Sequence, residues 1–300
     1  MTSSETTDPD MPLATLLLRL AGPLQSWGIS SRYASRDTGA EPSKSGVIGI
    51  LAAALGLPRG TDLSAVRISG SEPFDLTRLR MGVRVDCEGV PGYDFQTAGG
   101  GDDDPGIAMA RDTPKAIARR IADRRAGGRS NKGAISISNR YFLQDAVFLV
   151  GLESGEVEVL RRVDAALRKP VFPIGLGRRS YVPSCPVGLP GGGVRPVPLD
   201  DALAAEPWPV DGRPVRPDWR SSGSRMLRTV IEAKAGEDGI IRNDQPIGAA
   251  FLTRVFGPRA VIYDTIERPL GAADRAAGTV GIEGTAGDDS DDQPHETEVA

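Results

Sequence analysis

Histidine is almost missing from this chain of 300 residues: the single one, His295, sits in an acidic C-terminal run. General acid–base catalysis draws on histidine more often than on any other side chain, so a histidine-driven ribonuclease or hydrolase triad has almost no support. Cysteine is scarce too. Cys87 and Cys185 are the only two, one in a strand-like stretch and one in a proline-rich loop, too few for a disulfide framework or a four-cysteine zinc site. No apolar run approaches the roughly 18 to 20 residues of a membrane span. The opening MTSSETTDPD is acidic, unlike a signal peptide, so a cytoplasmic protein with no membrane partner is expected.

Glycine-rich nucleotide loops and metal clusters are also absent. GGG at 191–193 lies among prolines with no helix behind it, and PSKSGVIG at 42–49 lacks the GxxxxGK[ST] frame. DDD at 102–104 reads as a solvated acidic turn. Neither a cofactor nor a metal is expected, and no catalytic residue is marked by spacing.

What is present is a core and an uneven charge. Apolar residues make up 39% of the chain, enough to bury a sizeable interior. The formal charge of −4 hides an asymmetry: residues 271–300 carry eight acids against Arg275 alone, and residues 1–10 carry three acids. Without these tails, residues 11–270 carry +6. A basic body suits a polyanion, although this charge also fits an ordinary surface, so clustering must decide. The tails, 1–12 and 269–300, hold too little apolar surface to offset ordering entropy and are expected to be disordered.

Along the chain, LATLLLRL (13–20) reads as a strand covered on at least one face. A helix follows PSKSG, with Ser43 as N-cap, apolar positions Val47, Ile48, Leu51, Ala52 and Leu55, and Gly56 with Pro58 as its end. Strands are expected at 79–87 and 145–153 and a helix at VEVLRRVDAALRKP, then a short extended piece from PVFPIGLGRRSYVPSCPV. From Glu88 to about Asn139 the periodicity is lost, which reads as a functional arm. This order is that of an α+β, ferredoxin-like βαββαβ unit with one face of its sheet open. RMLRTVIEAK and AVIYDTI are expected strands of a smaller β-rich region, 188–268.

Lys44 stands out, because a cation in the first turn of a helix opposes the helix dipole unless an anion is bound there. Three clusters of basic and aromatic residues accompany it. Trp27, Arg32, Tyr33 and Arg36 precede the helix; Arg111, Lys115, Arg119, Arg129, Lys132 and Arg140 lie among the basic residues of the arm; Arg178, Arg179 and Tyr181 follow Gly177. Arginines grip phosphates bidentately and aromatics stack on unpaired bases, so the pattern points to single-stranded RNA.

LLLRLAGPLQSWG, SRYASRDTGAEPSKSGVIGILAAALG, YDFQT, SNRYFLQDAVFLVGL and PVFPIGLGRRSYVPSCPV together resemble the CasD family, small RAMP-superfamily subunits of the type I-E CRISPR complex Cascade. The likeness runs from about residue 13 to 187 and more loosely to 268. It implies an RRM-related ferredoxin-like domain (13–187) with a thumb at 88–140. It also implies binding to the 5′ handle of the CRISPR RNA (crRNA), capping of the backbone filament, and contacts with the backbone and large subunits. The family block that lines the handle site corresponds to Gln25, Trp27, Arg32, Tyr33, Arg36, Ser43, Lys44 and Ser45, with Arg178 and Arg179 in the glycine-rich loop. A non-catalytic antiviral-defence subunit is therefore expected. The alternative within the superfamily is a metal-independent endoribonuclease that processes precursor crRNA, in which Tyr33 and Lys44 stand in for two of the usual Tyr, Lys and His. A pure protein scaffold is a third reading.

Overall fold

The computed structural model describes residues 13–29, 35–68, 72–98, 136–207 and 226–267. Eleven strands and four helices occupy them: β1 (Ala14–Ala21), β2 (Leu24–Gln25), β3 (Ser35–Arg36), α1 (Lys44–Ala54), β4 (Arg80–Cys87), β5 (Val90–Ala98), β6 (Ser136–Gln144), β7 (Val147–Ser154), α2 (Val157–Arg168), β8 (Val194–Arg195), α3 (Leu199–Ala205), β9 (Met226–Glu232), β10 (Ile240–Pro246), α4 (Ala250–Thr253) and β11 (Phe256–Glu267). The expected α+β class is observed. Seven strands form one antiparallel sheet in the order β10-β11-β9-β4-β7-β1-β8, and β2, β3, β5 and β6 form a second.

β1 is apolar at nearly every position because both of its faces are covered. Leu16, Leu18 and Leu20 point into the main core with Ile48 and Leu51 of α1 and Leu160 and Val163 of α2. Leu17 points the other way, into a second core with Leu149, Leu199, Ala202 and Leu203. The open face expected of this sheet is therefore closed over its centre by α3. Two glycines make room: a Cβ on Gly151 would lie 2.4 Å from Leu199 Cδ1, and one on Gly82 would lie 2.8 Å from Leu203 Cδ1. Arg84, buried on this same face, pairs with Asp86 and donates to the Leu203 and Glu206 carbonyls, both at 2.6 Å, where α3 ends. Burial pushes the Asp86 carboxyl up in spite of that arginine.

Two expectations from the sequence are corrected. The strand after α2 does not form within 170–187; the partner of β1 is β8, through Thr15↔Arg195 and Leu16↔Val194. Pro170, Pro173, Pro183 and Pro186 remove four amide donors from that stretch. It instead crosses the sheet on scattered backbone bonds such as Ser26 N to Leu176 O and Ser184 N to Ala21 O. Second, periodicity is not lost throughout 88–139: β5 and β6 pair antiparallel along nine residues each, from Val90↔Gln144 to Ala98↔Ser136. Residues 99–135 lie outside the described residues, as do both acidic tails. The expected C-terminal strands are present, and β9 joins them to the main sheet through Val83↔Val230.

Candidate nucleic-acid interface

α1 begins as its sequence predicts, with Ser43 Oγ accepting the Gly46 amide at 3.3 Å. Gly56 closes it with φ +73°, a conformation that favours glycine. Lys44 is different from the expectation. Its side chain is 1% exposed, and its Nζ lies 3.0 and 2.9 Å from the two oxygens of Glu232. The Lys44 amide donates to Asp244 at 2.8 Å, and Arg259 grips the same Asp244 carboxylate at 2.6 and 2.9 Å. The anion demanded by a lysine at this helix terminus is thus supplied by the protein itself, from β9 and β10.

The charges in this network are held against their solvation. Burial pushes the Lys44 ammonium below its ordinary value more than Glu232 pulls it back. At Asp244 burial pushes up, but the Arg259 guanidinium and the Lys44 amide together outweigh it and hold the carboxyl low. Beside it, Glu41 is 2% exposed and pairs with Arg228, at 2.8 Å, and with Arg242. Residues 41–44 are thereby tied to the C-terminal strands.

Gln25 and Trp27, expected at the RNA surface, are also interior. Gln25 Nε2 donates to the Ala146 carbonyl at 2.7 Å and to Leu20 at 3.2 Å, and its Oε1 accepts from the Trp27 indole at 3.2 Å. Trp27 is 1% exposed beneath the first turn of α1, where a Cβ on Gly46 would fall 2.9 Å from its ring. These residues position the segment rather than present it. Ser45 is half-buried, its hydroxyl 3.4 Å from that of Ser43.

The arginines behave otherwise. Gly177, at φ +83°, lets residues 175–179 lie against residue 26; a Cβ there would sit 1.7 Å from the Ser26 carbonyl oxygen. That turn delivers Arg178 to the outer edge of β6. Arg178 donates to the Tyr141 carbonyl at 3.0 Å and to the Tyr181 hydroxyl at 2.9 Å, with its guanidinium 5.3 Å from the Tyr181 ring centre. Arg179 beside it is exposed. On the same edge, β3 runs parallel to β6 and registers Arg36 with Arg140. Arg36 is exposed, and the half-buried Arg140 has an Nε without a partner. No ion pair among the described residues uses Arg36, Arg140, Arg178 or Arg179. Arg36, Arg140 and Arg178 thus meet at residues 139–141 of one strand, with Arg179 next in sequence. Asp94 is the cross-strand neighbour of Arg140, but no ion pair among the described residues engages these arginines, which makes them a suitable cradle for a phosphate chain.

Of the other expected residues, Arg32, Tyr33, Arg111, Lys115, Arg119, Arg129 and Lys132 lie outside the described residues. Among the described residues no three His, Cys, Asp or Glu side chains are grouped to hold a metal, and no helix is long and apolar enough to cross a membrane. Sequence reasoning missed Tyr93 and Phe95 of β5 and gave no role to Tyr141 of β6, which are 61%, 62% and 37% exposed. The alternation of Tyr, Phe and Thr with Asp and Gln in YDFQT was the available signal.

The CRISPR-associated protein (Cas_Cas5) family matches residues 15–262, and the chain belongs to that family. The CRISPR system Cascade subunit CasD of Escherichia coli (strain K12) is 29% identical over 180 residues, 58% of this chain and 68% of that one. Two solved structures align over nearly their whole length. One, a crystal structure of a Cas protein, has a TM-score of 0.59 at 38% identity and covers 86% of this chain and 98% of its own. The other, from a CRISPR RNA-guided surveillance complex, has a TM-score of 0.58 at 31% identity and covers 89% and 98%. The resemblance to CasD read from the motifs is borne out by these matches.

Proposed function

We propose that this chain is a non-catalytic, cytoplasmic subunit of a Cascade complex that holds the 5′ handle of the crRNA and caps the backbone filament. The observation that carries the reading is the set of arginines 36, 140 and 178 at β6, with Arg179 next to them and none in an ion pair among the described residues, in a chain whose E. coli relative is a Cascade subunit. The order β4-β7-β1-β8, with α1 and α2 on one face, supports a ferredoxin-like, RRM-related core, and β5 and β6 would be the base of its thumb. RNA meets this core at the second sheet, since α3 covers the centre of the first. The filament's backbone subunit and the large subunit are its proposed protein partners.

The endoribonuclease alternative loses ground at Lys44, whose ammonium is buried against Glu232 and cannot reach an RNA hydroxyl. Reconstitution with repeat-derived RNA tests the proposal. Arg36→Ala with Arg179→Ala should weaken handle binding and flatten its salt dependence by roughly 0.7 log units per decade for each phosphate no longer neutralised. Wild-type affinity and slope in that double variant would refute the site, and specific cleavage of the RNA by the purified chain would refute the non-catalytic reading.

A further inference from the structure

The ribbon of β5 and β6 has two unlike faces. Alternate residues of a strand point to opposite sides, and the register pairs Tyr93 with Tyr141, Phe95 with Asn139 and Thr97 with Ile137 on one of them. The opposite side carries Gly92, Asp94, Arg140 and Phe142, of which Phe142 is buried with its ring edge-on to Tyr181 at 6.3 Å. The first face has no charged side chain. Tyr93, Phe95 and Ile137 are each at least half exposed.

Rings left in water on a paired strand gain little from folding, yet here they are arranged. The Tyr141 carbonyl is turned to the outer edge, where it accepts from Ser26 Oγ and Arg178, both at 3.0 Å. Tyr141 therefore faces Tyr93 as a non-hydrogen-bonded pair, the register in which side chains come closest. The two ring centres are 5.7 Å apart and tilted by 40°. Phe95 stands two residues further along the same face.

We infer that Tyr93, Phe95 and Tyr141 form a stacking platform for unpaired RNA bases. The inference rests on the RNA-binding reading above and adds the mode of contact. Continuity favours RNA over an apolar protein surface: Arg178 is bonded to the same Tyr141 whose ring lies on the platform, so a phosphate at the edge and a base on the face belong to one nucleotide strand. Charge points the same way. The sequence joining β5 to β6, residues 99–135, carries eight Lys or Arg against five Asp, a net of +3. Bases offer π faces whatever their identity, so such a platform tolerates sequence while the arginines set the phosphate path.

The test uses leucine, which keeps an apolar side chain on each exposed position and removes the ring. Tyr93→Leu and Phe95→Leu are measured by fluorescence anisotropy against a single-stranded repeat RNA and against the same RNA carrying abasic sites. Each substitution is expected to weaken binding to the intact RNA by about 5- to 100-fold, with an unchanged salt slope, and to leave the abasic RNA unaffected. Unchanged affinity for intact RNA in both variants, while Arg179→Ala still weakens it, overturns the platform and leaves the RNA-binding reading standing. Insensitivity of all three variants overturns both. Leucine variants that bind RNA normally but fail to enter the assembled complex assign the face to a protein partner and overturn the platform.

Discussion

Lys44→Met separates a structural lysine from a phosphate ligand more sharply than any other substitution in this chain. The ammonium is 1% exposed and contacts both Glu232 oxygens at 2.9 and 3.0 Å, so methionine fills the same volume but leaves Glu232 without its main counter-charge. Removing one partner of a buried pair costs about 3–5 kcal/mol. Here the loss falls at the lower end, because Glu232 is 19% exposed and keeps the Met81 amide at 3.2 Å and Arg259 at 3.7 Å. A loss of about 3 kcal/mol corresponds to a fall in Tm of about 6–12 °C for a domain of this size. Thermal unfolding followed by circular dichroism at neutral pH measures it. Below the transition, the folded variant should bind single-stranded RNA with wild-type affinity and salt slope. Lys44→Met with Glu232→Met should recover much of the stability, since burying the lysine costs more than Glu232 returns. A variant with wild-type Tm, weaker RNA binding and a shallower salt slope would refute the reasoning and return Lys44 to the RNA.

Three other perturbations follow from the packing. Gly177→Ala adds a Cβ that falls 1.7 Å from the Ser26 carbonyl oxygen at a φ of +83°, so it should cost about 2 kcal/mol or more and weaken RNA binding by displacing Arg178; denaturant titration and anisotropy report the two effects. Gly151→Ala pushes on Leu199 from 2.4 Å in a closed core and should cost about 1–3 kcal/mol by loosening α3, seen as a lower denaturant midpoint with RNA affinity retained. Asp244 has a carboxyl held below its ordinary value, so its contribution is fully present above the unfolded pKa of about 3.9 and is lost as pH falls through the folded value. Asp244→Asn should therefore lower Tm at pH 7 and show a smaller further drop than wild type below about pH 4.

Local chemistry was legible in the sequence wherever the cause was local. The Ser43 cap, the Gly56 stop and the strands β1, β4 and β7 of the main sheet follow from hydroxyls, glycines and apolar runs within a few residues. LATLLLRL and AVFLVGL do not alternate, which itself indicates a sheet covered on both faces; an open face follows from the fold class alone. β8 is only two residues long, too short to leave a periodic trace, while prolines upstream mimicked an extended strand. At β5 and β6 the glycine and proline of VPG and the basic run between the strands masked an alternation that YDFQT still carries.

Lys44 shows the harder limit. A cation at a helix N-terminus does imply an anion, and the sequence supplied that implication correctly. It could not say which anion, because Glu232 lies 188 positions away and is brought in by the long-range pairing of β9 with β4 and β11. A phosphate and a carboxylate satisfy the same electrostatic demand, so a single buried lysine carries no information about an external ligand. Arg36, Arg140 and Arg178 are better candidates, because the fold brings them to β6 from two strands and a turn and no ion pair among the described residues engages them. A helix-terminal lysine therefore points to a ligand only when the long-range topology leaves it without a carboxylate, and arginines brought together without ion pairs are the place to test for one.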